Sequence, residues 1–244
     1  MSRPDPRSVI GHAAVVLPVR DEERLLPAAL DAVERAADRA RATGVTVDVV
    51  VVLDSCTDGS ARVCAARAGV VVRHTAAGRV GAARAAGCGH ALATSPVAPG
   101  RTWLACTDAD SVVPQHWLVH HLRLAGAGAD AVLGTVRVPD WRSWPGAVRT
   151  AYDAAYHGVE GHPHVHGANL GVRGNAYRAA GGFGPVAADE DVALVAALRR
   201  GGHRVVSTAR AAVATSARAV GRAPAGFSGR LATLAAQAGA EPSG

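Results

Sequence analysis

The sequence predicts one α/β domain with a doubly wound, mostly parallel sheet flanked by helices, followed by a looser second half. Short apolar runs of strand length alternate with segments of helical spacing through most of the chain. These runs are continuously apolar, as in strands covered on both faces. The chain has 244 residues, of which 49% are hydrophobic, enough for one large domain with a sizeable core.

The predicted elements follow one another in strand–helix order. The first strand is AAVVLPV (13–19), and the helix after it spans 25–44, with Pro27 in its first turn and Gly44 as its C-terminal cap. VTVDVVVVL (45–53) is the second buried strand. The same alternation continues through helix 60–69, strand 70–74, helix 80–93, strand 102–107, helix 114–128 and strand 131–138.

The regular pattern then gives way to an aromatic-rich stretch, WRSWPGAVRTAYDAAYHGVEG. Beyond it the spacing predicts a short helix at 191–202 and a strand at 203–206. Residues 1–10 are expected to form a loose leader, and 221–244, rich in Gly, Pro and Ala, a flexible tail. We therefore expect a single domain over residues 11–220.

The charge of the chain bears on the class of ligand. A net charge of +6 and a pI near 9.9 are typical of proteins that bind polyanions. However, all 26 basic residues are arginine, and they are scattered without interleaved aromatics, which make up only 4% of the chain. This composition indicates GC-rich codon usage, so we expect no nucleic-acid partner and favour a small phosphorylated ligand.

Cysteine spacing and hydropathy bear on the compartment. The N-terminus MSRPDPRSVIGH lacks the apolar core of a secretory signal, and no apolar run approaches the ~18–20 residues that span a bilayer. We expect a cytoplasmic protein with reduced thiols, and peripheral membrane contact through arginines stays open. The four cysteines form no C-x-x-C pair and no zinc spacing: Cys56, Cys64, Cys88 and Cys106.

Acidic residues follow three of the predicted strands. Because the carboxyl ends of parallel strands meet at one rim, these carboxylates would repel one another unless a cation or ligand lies among them. One such Asp is typically a helix N-cap, but several along one rim favour a site. CTDADS (106–111) is the sharpest example, since its oxygens suit Mg²⁺ or Mn²⁺ bridging to a diphosphate. The acidic residues are Asp21, Glu22, Glu23, Asp54, Asp108 and Asp110.

Histidines recur at every second position in HPHVHGANLG, as His162, His164 and His166. In an extended strand this period places all three on one face. Three interpretations remain open: a zinc site, a chance cluster in a chain with 11 histidines, or the wall of a ligand pocket.

Several motifs occur in a characteristic order. They are PVRDEE (18–23), LDSCTDGS (53–60), GRVGAARAAG (78–87), TDADS (107–111), HGANLGVRGNAYRAAGGF (166–183) and ADEDVALVAALRRGG (188–202). Together they resemble the GT-A fold nucleotide-sugar glycosyltransferases of family 2, over roughly residues 13–218. The resemblance implies a Rossmann-like GT-A domain whose residues 11–112 bind the nucleotide-sugar and whose residues 113–220 bind the acceptor.

For the donor, the resemblance implies that Asp54 hydrogen-bonds the nucleotide base. It implies that Asp110 is the direct metal ligand, and that Asp108 contacts the ribose or a metal-bound water. The nucleotide-sugar-binding residues that it implies are Pro18, Arg20, Glu22, Asp54, Arg84, Asp108, Ala109 and Asp110.

For the acceptor, the resemblance implies that Asp191 is the general base of an inverting enzyme. Acidic residues in a first helical turn are also explained by the helix dipole, so this role rests on the resemblance. Arg218 lies where many members have a histidine that completes the metal site, and it is expected to supply charge to the leaving group instead. The residues expected to contact the acceptor are His166, Gly167, Asn169 and Glu190.

These observations predict a glycosyltransferase that uses Mg²⁺ or Mn²⁺ and moves a sugar from a UDP- or GDP-linked donor to an acceptor hydroxyl, with inversion. The expected acceptor is a small molecule, a glycan or a lipid-linked molecule. Two alternatives are a non-catalytic nucleotide-sugar-binding module and a zinc hydrolase centred on His162, His164 and His166. A nucleotidyltransferase on a similar sheet is disfavoured because the first strand lacks a Gly-rich basic loop.

Overall fold

The computed structural model describes residues 9–184, 189–218, 226–237 and 239. The strands are β1 (His12–Val19), β2 (Thr46–Asp54), β3 (Val70–Thr75), β4 (Thr102–Cys106), β5 (Ser111–Val112), β6 (Ala131–Arg137), β7 (Leu170–Arg173) and β8 (Val205–Thr215). The helices are α1 (Leu26–Arg41), α2 (Ser60–Ala65), α3 (Val80–Thr94), α4 (Trp117–Gly126), α5 (Gly146–Ala155), α6 (Gly174–Ala179), α7 (Glu190–Arg200) and α8 (Phe227–Gln237).

The described strands form one sheet in the order β3-β2-β1-β4-β7-β6-β8-β5. β3, β2, β1 and β4 run parallel, as do β6 and β8. β7 runs antiparallel to both β4 and β6, and β5 pairs antiparallel with β8. The predicted fold class, a mostly parallel sheet flanked by helices, is confirmed.

The first half folds as its apolar runs predict. Every residue of β1 is buried, because α1 covers one face of the sheet and α3 covers the other. Leu26, Leu30 and Val33 of α1 pack into the hydrophobic core on one face of the sheet. Ala83, Cys88 and Ala91 of α3 pack into the core on the other face. A continuously apolar strand needs cover on both faces, because a strand with one exposed face alternates apolar and polar residues.

The second half contains elements that the sequence pattern did not predict. β8 has 11 residues, where only 203–206 was expected to be extended, and β7 has four. α5 and α8 pack on each other around Trp144, Val148 and Leu231. Isolated helices of this length are marginal in water, so their pairing stabilises them more than their own sequences do.

The segment around the three histidines is not a strand. Residues 162–166 have no regular secondary structure, so the expectation of a strand is wrong. A strand needs backbone hydrogen bonds to a neighbouring strand, and no strand pair of the described sheet includes these residues. The rings of His162, His164 and His166 nevertheless stack one on the next, so the three side chains share one side of the segment.

Parts of the predicted termini lie outside the described residues, namely 1–8 of the leader and 221–225, 238 and 240–244 of the tail. Within the described part of the tail, 227–237 form helix α8. No helix in the described ranges is long and apolar enough to cross a bilayer.

Candidate active site

A cleft of about 500 Å³ opens at the carboxyl ends of β1, β2 and β4. Ligands of open α/β sheets bind at this edge, outside the strand ends. All but one of the residues expected in the site line it: Pro18, Arg20, Glu22, Asp54, Arg84, Asp108, Ala109, Asp110, His166, Gly167, Glu190, Asp191 and Arg218. The exception is Asn169.

The loops after β1 and β2 are tied to each other by Asp21. Its backbone is left-handed, with a φ of 52°, and its Oδ1 accepts hydrogen bonds from the Thr57 amide at 2.7 Å and the Asp58 amide at 3.2 Å. These bonds, the Thr57 amide first, lower the pKa of Asp21. Asp21 therefore fixes the loop geometry and does not line the cleft.

Asp54 ends β2 inside the cleft and is 3% exposed. Its Oδ1 accepts a hydrogen bond from the Gly78 amide at 2.9 Å, while an Arg20 guanidinium nitrogen donates to the Gly78 carbonyl at 3.2 Å. The loop before α3 is thereby held against the ends of β1 and β2, where it forms one wall of the cleft.

Arg84 of α3 lies between two carboxylates, Asp108 after β4 and Glu190 at the start of α7. Its side chain is 5% exposed. Burial alone would lower the pKa of Arg84, but the charges of Asp108 and Glu190 outweigh burial and raise it. The guanidinium thus acts as a buried counter-ion between two carboxylates.

Two glycines make room for this ion pair. A Cβ at Gly167 would collide with the Arg84 guanidinium, and a Cβ at Gly81 would lie 2.9 Å from the Glu190 Cγ. Glycine at both positions lets α3 and the segment before β7 approach the buried charges closely.

Arg218, just beyond β8, pairs with two acidic residues across the cleft. It contacts both carboxylate oxygens of Glu22, one of them at 2.8 Å, and its Nη2 lies 3.2 Å from the Asp110 Oδ2. Burial lowers the pKa of Arg218, but the bonds to Glu22 and the charge of Asp110 raise it overall. Arg218 thus lies beside Asp110, the residue that the family resemblance assigns to the metal.

The two carboxylates of the Asp-x-Asp motif differ in environment. Burial, and then the nearby charge of Asp108, raises the pKa of Asp110 to about 7, although Arg218 opposes this. Because burial is the first cause, the raised pKa shows that the ionised Asp110 carboxylate is poorly solvated in the cleft. Carboxylate oxygens are the ligands that a divalent cation such as Mg²⁺ or Mn²⁺ prefers.

On the opposite wall, Asp191 lies in the first turn of α7. Its Oδ2 accepts a hydrogen bond from the Gly167 amide at 2.6 Å, and its Oδ1 accepts one from the Val192 amide at 2.8 Å. Burial raises the pKa of Asp191, while Arg84 and these amides lower it. The carboxylate is therefore oriented by the backbone and lines the cleft, as a general base requires.

His166 lies in a stack of rings beside the cleft. Its Nε2 lies 3.0 Å from the Tyr156 hydroxyl, which accepts a hydrogen bond from the Val136 amide at 2.9 Å. The His164 ring stacks on Tyr156 with centroids 4.2 Å apart. Burial lowers the pKa of His166 to about 3, so its imidazole is neutral at physiological pH.

The ring stack does not fit a zinc site. The rings of His162 and His164 lie face to face with centroids 5.6 Å apart, whereas zinc ligands point their nitrogens at one centre. Within the described ranges, the one group of three His, Cys, Asp or Glu residues whose ligand atoms lie within 4.8 Å is Asp21, Cys56 and Asp58. The Cys56 thiol donates to the Val19 carbonyl, and Asp21 accepts from the Thr57 and Asp58 amides, so these groups tie the two loops together.

Asn169 does not contact the cleft, which corrects the acceptor role expected for it. It is fully buried. Its Oδ1 accepts from the Trp117 indole at 2.7 Å and lies 3.2 Å from the His121 Nε2, while its Nδ2 donates to the carbonyls of Thr135 and Ala211. Its polar atoms are therefore occupied in joining α4, β6 and β8.

Sequence reasoning missed one wall of the cleft altogether. Phe227, Ser228 and Arg230 of α8 line it beside His166. These residues lie in the Gly/Pro/Ala-rich tail, where the composition gives no sign of a helix. An apolar pattern at Phe227, Leu231 and Leu234 is the one signal that could have indicated an amphipathic helix.

The sequence profile described as Glycosyl transferase family 2 matches residues 14–177, more than half of the chain. The chain belongs to this family. It is therefore a glycosyltransferase, and the predicted GT-A architecture agrees with the strand order and the position of the cleft. No curated protein matches the chain by sequence.

Solved structures resemble this glycosyltransferase in fold. The mannosyltransferase PcManGT from Pyrobaculum calidifontis has a TM-score of 0.63 at 20% identity, over 87% of this chain and 58% of that one. A mycobacterial protein has a TM-score of 0.54 at 17% identity, over 94% and 75%. A 4-diphosphocytidyl-2C-methyl-D-erythritol synthase has a TM-score of 0.51 at 17% identity, over 80% and 88%. The chain thus spans less than two thirds of the mannosyltransferase.

Proposed function

We propose that this glycosyltransferase moves a sugar from a UDP- or GDP-linked donor to an acceptor hydroxyl with inversion, using Mg²⁺ or Mn²⁺. One observation carries the proposal. Asp54, the Asp-x-Asp carboxylates and the backbone-oriented Asp191 line the same cleft, although they come from the ends of β2 and β4 and the start of α7. This arrangement supports a donor on one side and a base on the other.

On the donor side, Asp54 accepts a hydrogen bond from the nucleotide base, and Arg20 lies nearby to contact the donor. Asp110 and Asp108 would hold the cation, which when bound neutralises charge on the diphosphate leaving group. The related mannosyltransferase structure is a complex with GDP-Man and Mn²⁺, which supports this donor class and this kind of ion.

On the acceptor side, Asp191 takes the proton of the attacking hydroxyl. Its two amide donors fix the carboxylate in one orientation, so the free lone pairs can face the cleft. His166, neutral and held by Tyr156, orients an acceptor hydroxyl through a hydrogen bond. Glu190 is held by Arg84, which leaves Asp191 as the carboxylate of the pair that can move a proton.

The test is a screen of UDP- and GDP-sugars for binding and slow hydrolysis in the presence of Mn²⁺, with water as the acceptor. Asp191→Asn should retain donor binding and lose at least ~100-fold in hydrolysis rate, a typical contribution of general base catalysis. Asp153→Asn, the same change at an exposed position on α5, is the matched control.

Two outcomes would overturn the proposal. The first is a protein that binds no UDP- or GDP-sugar with Mn²⁺. The second is an Asp191→Asn variant that hydrolyses the donor as fast as the wild type. Once an acceptor is found, the anomeric configuration of the product, measured by NMR, tests inversion.

A further inference from the structure

One guanidinium occupies the part of the cleft where the cation and the diphosphate are expected. Arg218 pairs with both oxygens of Glu22 and reaches the Asp110 Oδ2 at 3.2 Å. Glu22 follows β1, Asp110 follows β4 and Arg218 follows β8, so three strand ends meet at this group. In the ligand-free protein, Arg218 is thus a positive charge bound to a carboxylate expected to ligate the metal.

The second arginine of the cleft differs from Arg218 in two respects. The Arg84 side chain is 5% exposed, and a Cβ at Gly167 would collide with its guanidinium. The Arg218 side chain is 27% exposed, so a ligand in the cleft can reach it. Arg84 is therefore a fixed counter-ion, whereas Arg218 can exchange partners.

Exchange is chemically direct, because the planar guanidinium binds a carboxylate and a phosphate with the same two-pronged geometry. One guanidinium cannot make both sets of bonds at once. If Arg218 pairs with the diphosphate, the Asp110 oxygen that it contacted becomes available to a cation.

We propose that Arg218 couples cation binding to nucleotide binding by exchanging the Glu22 and Asp110 carboxylates for the diphosphate of the donor. The inference rests on the proposed function. Without nucleotide, Arg218 competes with the cation for Asp110 and weakens cation binding. With nucleotide, Arg218 binds the phosphates and the competition ends, so each ligand favours the other, as linkage requires.

The experiment measures two binary affinities by titration calorimetry at pH 8. One is for Mn²⁺ alone, and the other is for UDP and GDP in EDTA without metal. Arg218→Gln should bind Mn²⁺ at least about fivefold more tightly than the wild type, and the nucleoside diphosphate at least about fivefold more weakly. A merely structural role for Arg218 would weaken both, so opposite changes are the signature.

Two further variants make the comparison specific. Arg210→Gln removes an equal charge from an exposed pair with Glu160 and should leave both affinities unchanged. Arg218→Lys keeps the charge but lacks the two-pronged geometry, so its Mn²⁺ affinity should lie between those of the wild type and Arg218→Gln. It also provides a test if Arg218→Gln does not fold, which melting temperatures will reveal.

The outcomes separate the inference from the proposed function. If the wild type binds nucleoside diphosphate and Mn²⁺, but the Arg218 variants bind Mn²⁺ no more tightly, the inference alone is overturned. If the wild type binds no UDP or GDP under any condition, the proposed function is overturned, and the inference with it.

Discussion

At the residue scale, Arg84 shows how strongly the site depends on compensated charge. The side chains of Arg84 and Glu190 are 5% and 6% exposed, and their pair lies in the wall of the cleft. A buried pair of this kind adds little net stability over an apolar pair, but losing one partner leaves an uncompensated charge out of water.

We therefore expect Arg84→Met to lower the free energy of unfolding by about 3–5 kcal/mol, because Glu190 then has no counter-ion. Urea denaturation measures the change. Arg142→Met, which removes an arginine from a solvent-exposed pair with Asp140, should leave stability nearly unaltered. Equal effects of the two substitutions would show that burial of the Arg84 pair does not matter.

Asp191 gives a prediction about pH. A base must be ionised to accept a proton, and burial raises the pKa of Asp191 above that of an ordinary aspartate. The turnover rate should therefore fall as the pH decreases through this raised pKa, and it should level off above it. When Mn²⁺ and donor are saturating, the pH dependence of kcat reports only the groups that titrate in the complex.

The matched variant for this profile is His166→Gln. Because the pKa of His166 is about 3, its imidazole stays neutral across the working range. The midpoint of the acid limb should stay the same in His166→Gln even if transfer to acceptor is slower. A displaced midpoint would assign the titration to the histidine instead of Asp191.

At the scale of elements, α5 and α8 build a small second core apart from the main sheet. Leu231 and Ala235 of α8 pack against Val148 and Tyr152 of α5, and the Tyr152 ring stacks on Tyr156 with centroids 5.0 Å apart. Through this packing α8 places Phe227 and Arg230 in the wall of the cleft. This wall of the cleft, beside the residue His166 that we propose to orient the acceptor, thus depends on a contact between two helices.

Leu231→Ala tests this dependence. Leu231 is fully buried, and truncation of a buried leucine typically costs about 2–5 kcal/mol. We expect faster amide hydrogen exchange in 227–237 and slower transfer to acceptor, while donor binding is retained. Thr233→Ala, at an exposed position of the same helix, should change none of these. Loss of donor binding in Leu231→Ala would contradict our expectation that α8 contacts the acceptor and not the donor.

At the scale of the whole molecule, Asn169 joins elements that are far apart in the sequence. Its side-chain amide forms hydrogen bonds with Trp117 of α4, Thr135 of β6 and Ala211 of β8. Asn169 directly precedes β7, the strand that runs antiparallel to both β4 and β6. Its position therefore concerns the assembly of the sheet more than the chemistry of the cleft.

Asn169→Ala should lower the free energy of unfolding by at least about 2 kcal/mol, because buried partners lose their hydrogen bonds. The KM for the acceptor should remain near that of the wild type in the folded fraction. Asn175→Ala, an exposed substitution on α6, is the control for stability. A raised acceptor KM with normal stability would restore the acceptor role that the family resemblance implied.

The amino-acid sequence alone predicts the first half of the molecule. The short apolar runs of β1, β2 and β4 alternate with segments of helical spacing, which is typical of buried parallel strands, and the parallel arrangement gathers Glu22, Asp54 and Asp110 at one edge. These rules depend on short stretches of chain, so they can be read without coordinates. The order of the motifs then indicated the family.

The contacts between these residues are visible only in the folded chain. The Arg84–Glu190 pair spans 106 positions and the Arg218–Glu22 pair spans 196. Helix α8 and strand β7 are stabilised by neighbours that are distant in sequence. Residues distant in sequence also bury Asn169. Local patterns carry no record of such contacts, because ion pairing and burial depend on distance and solvent exclusion in the folded chain.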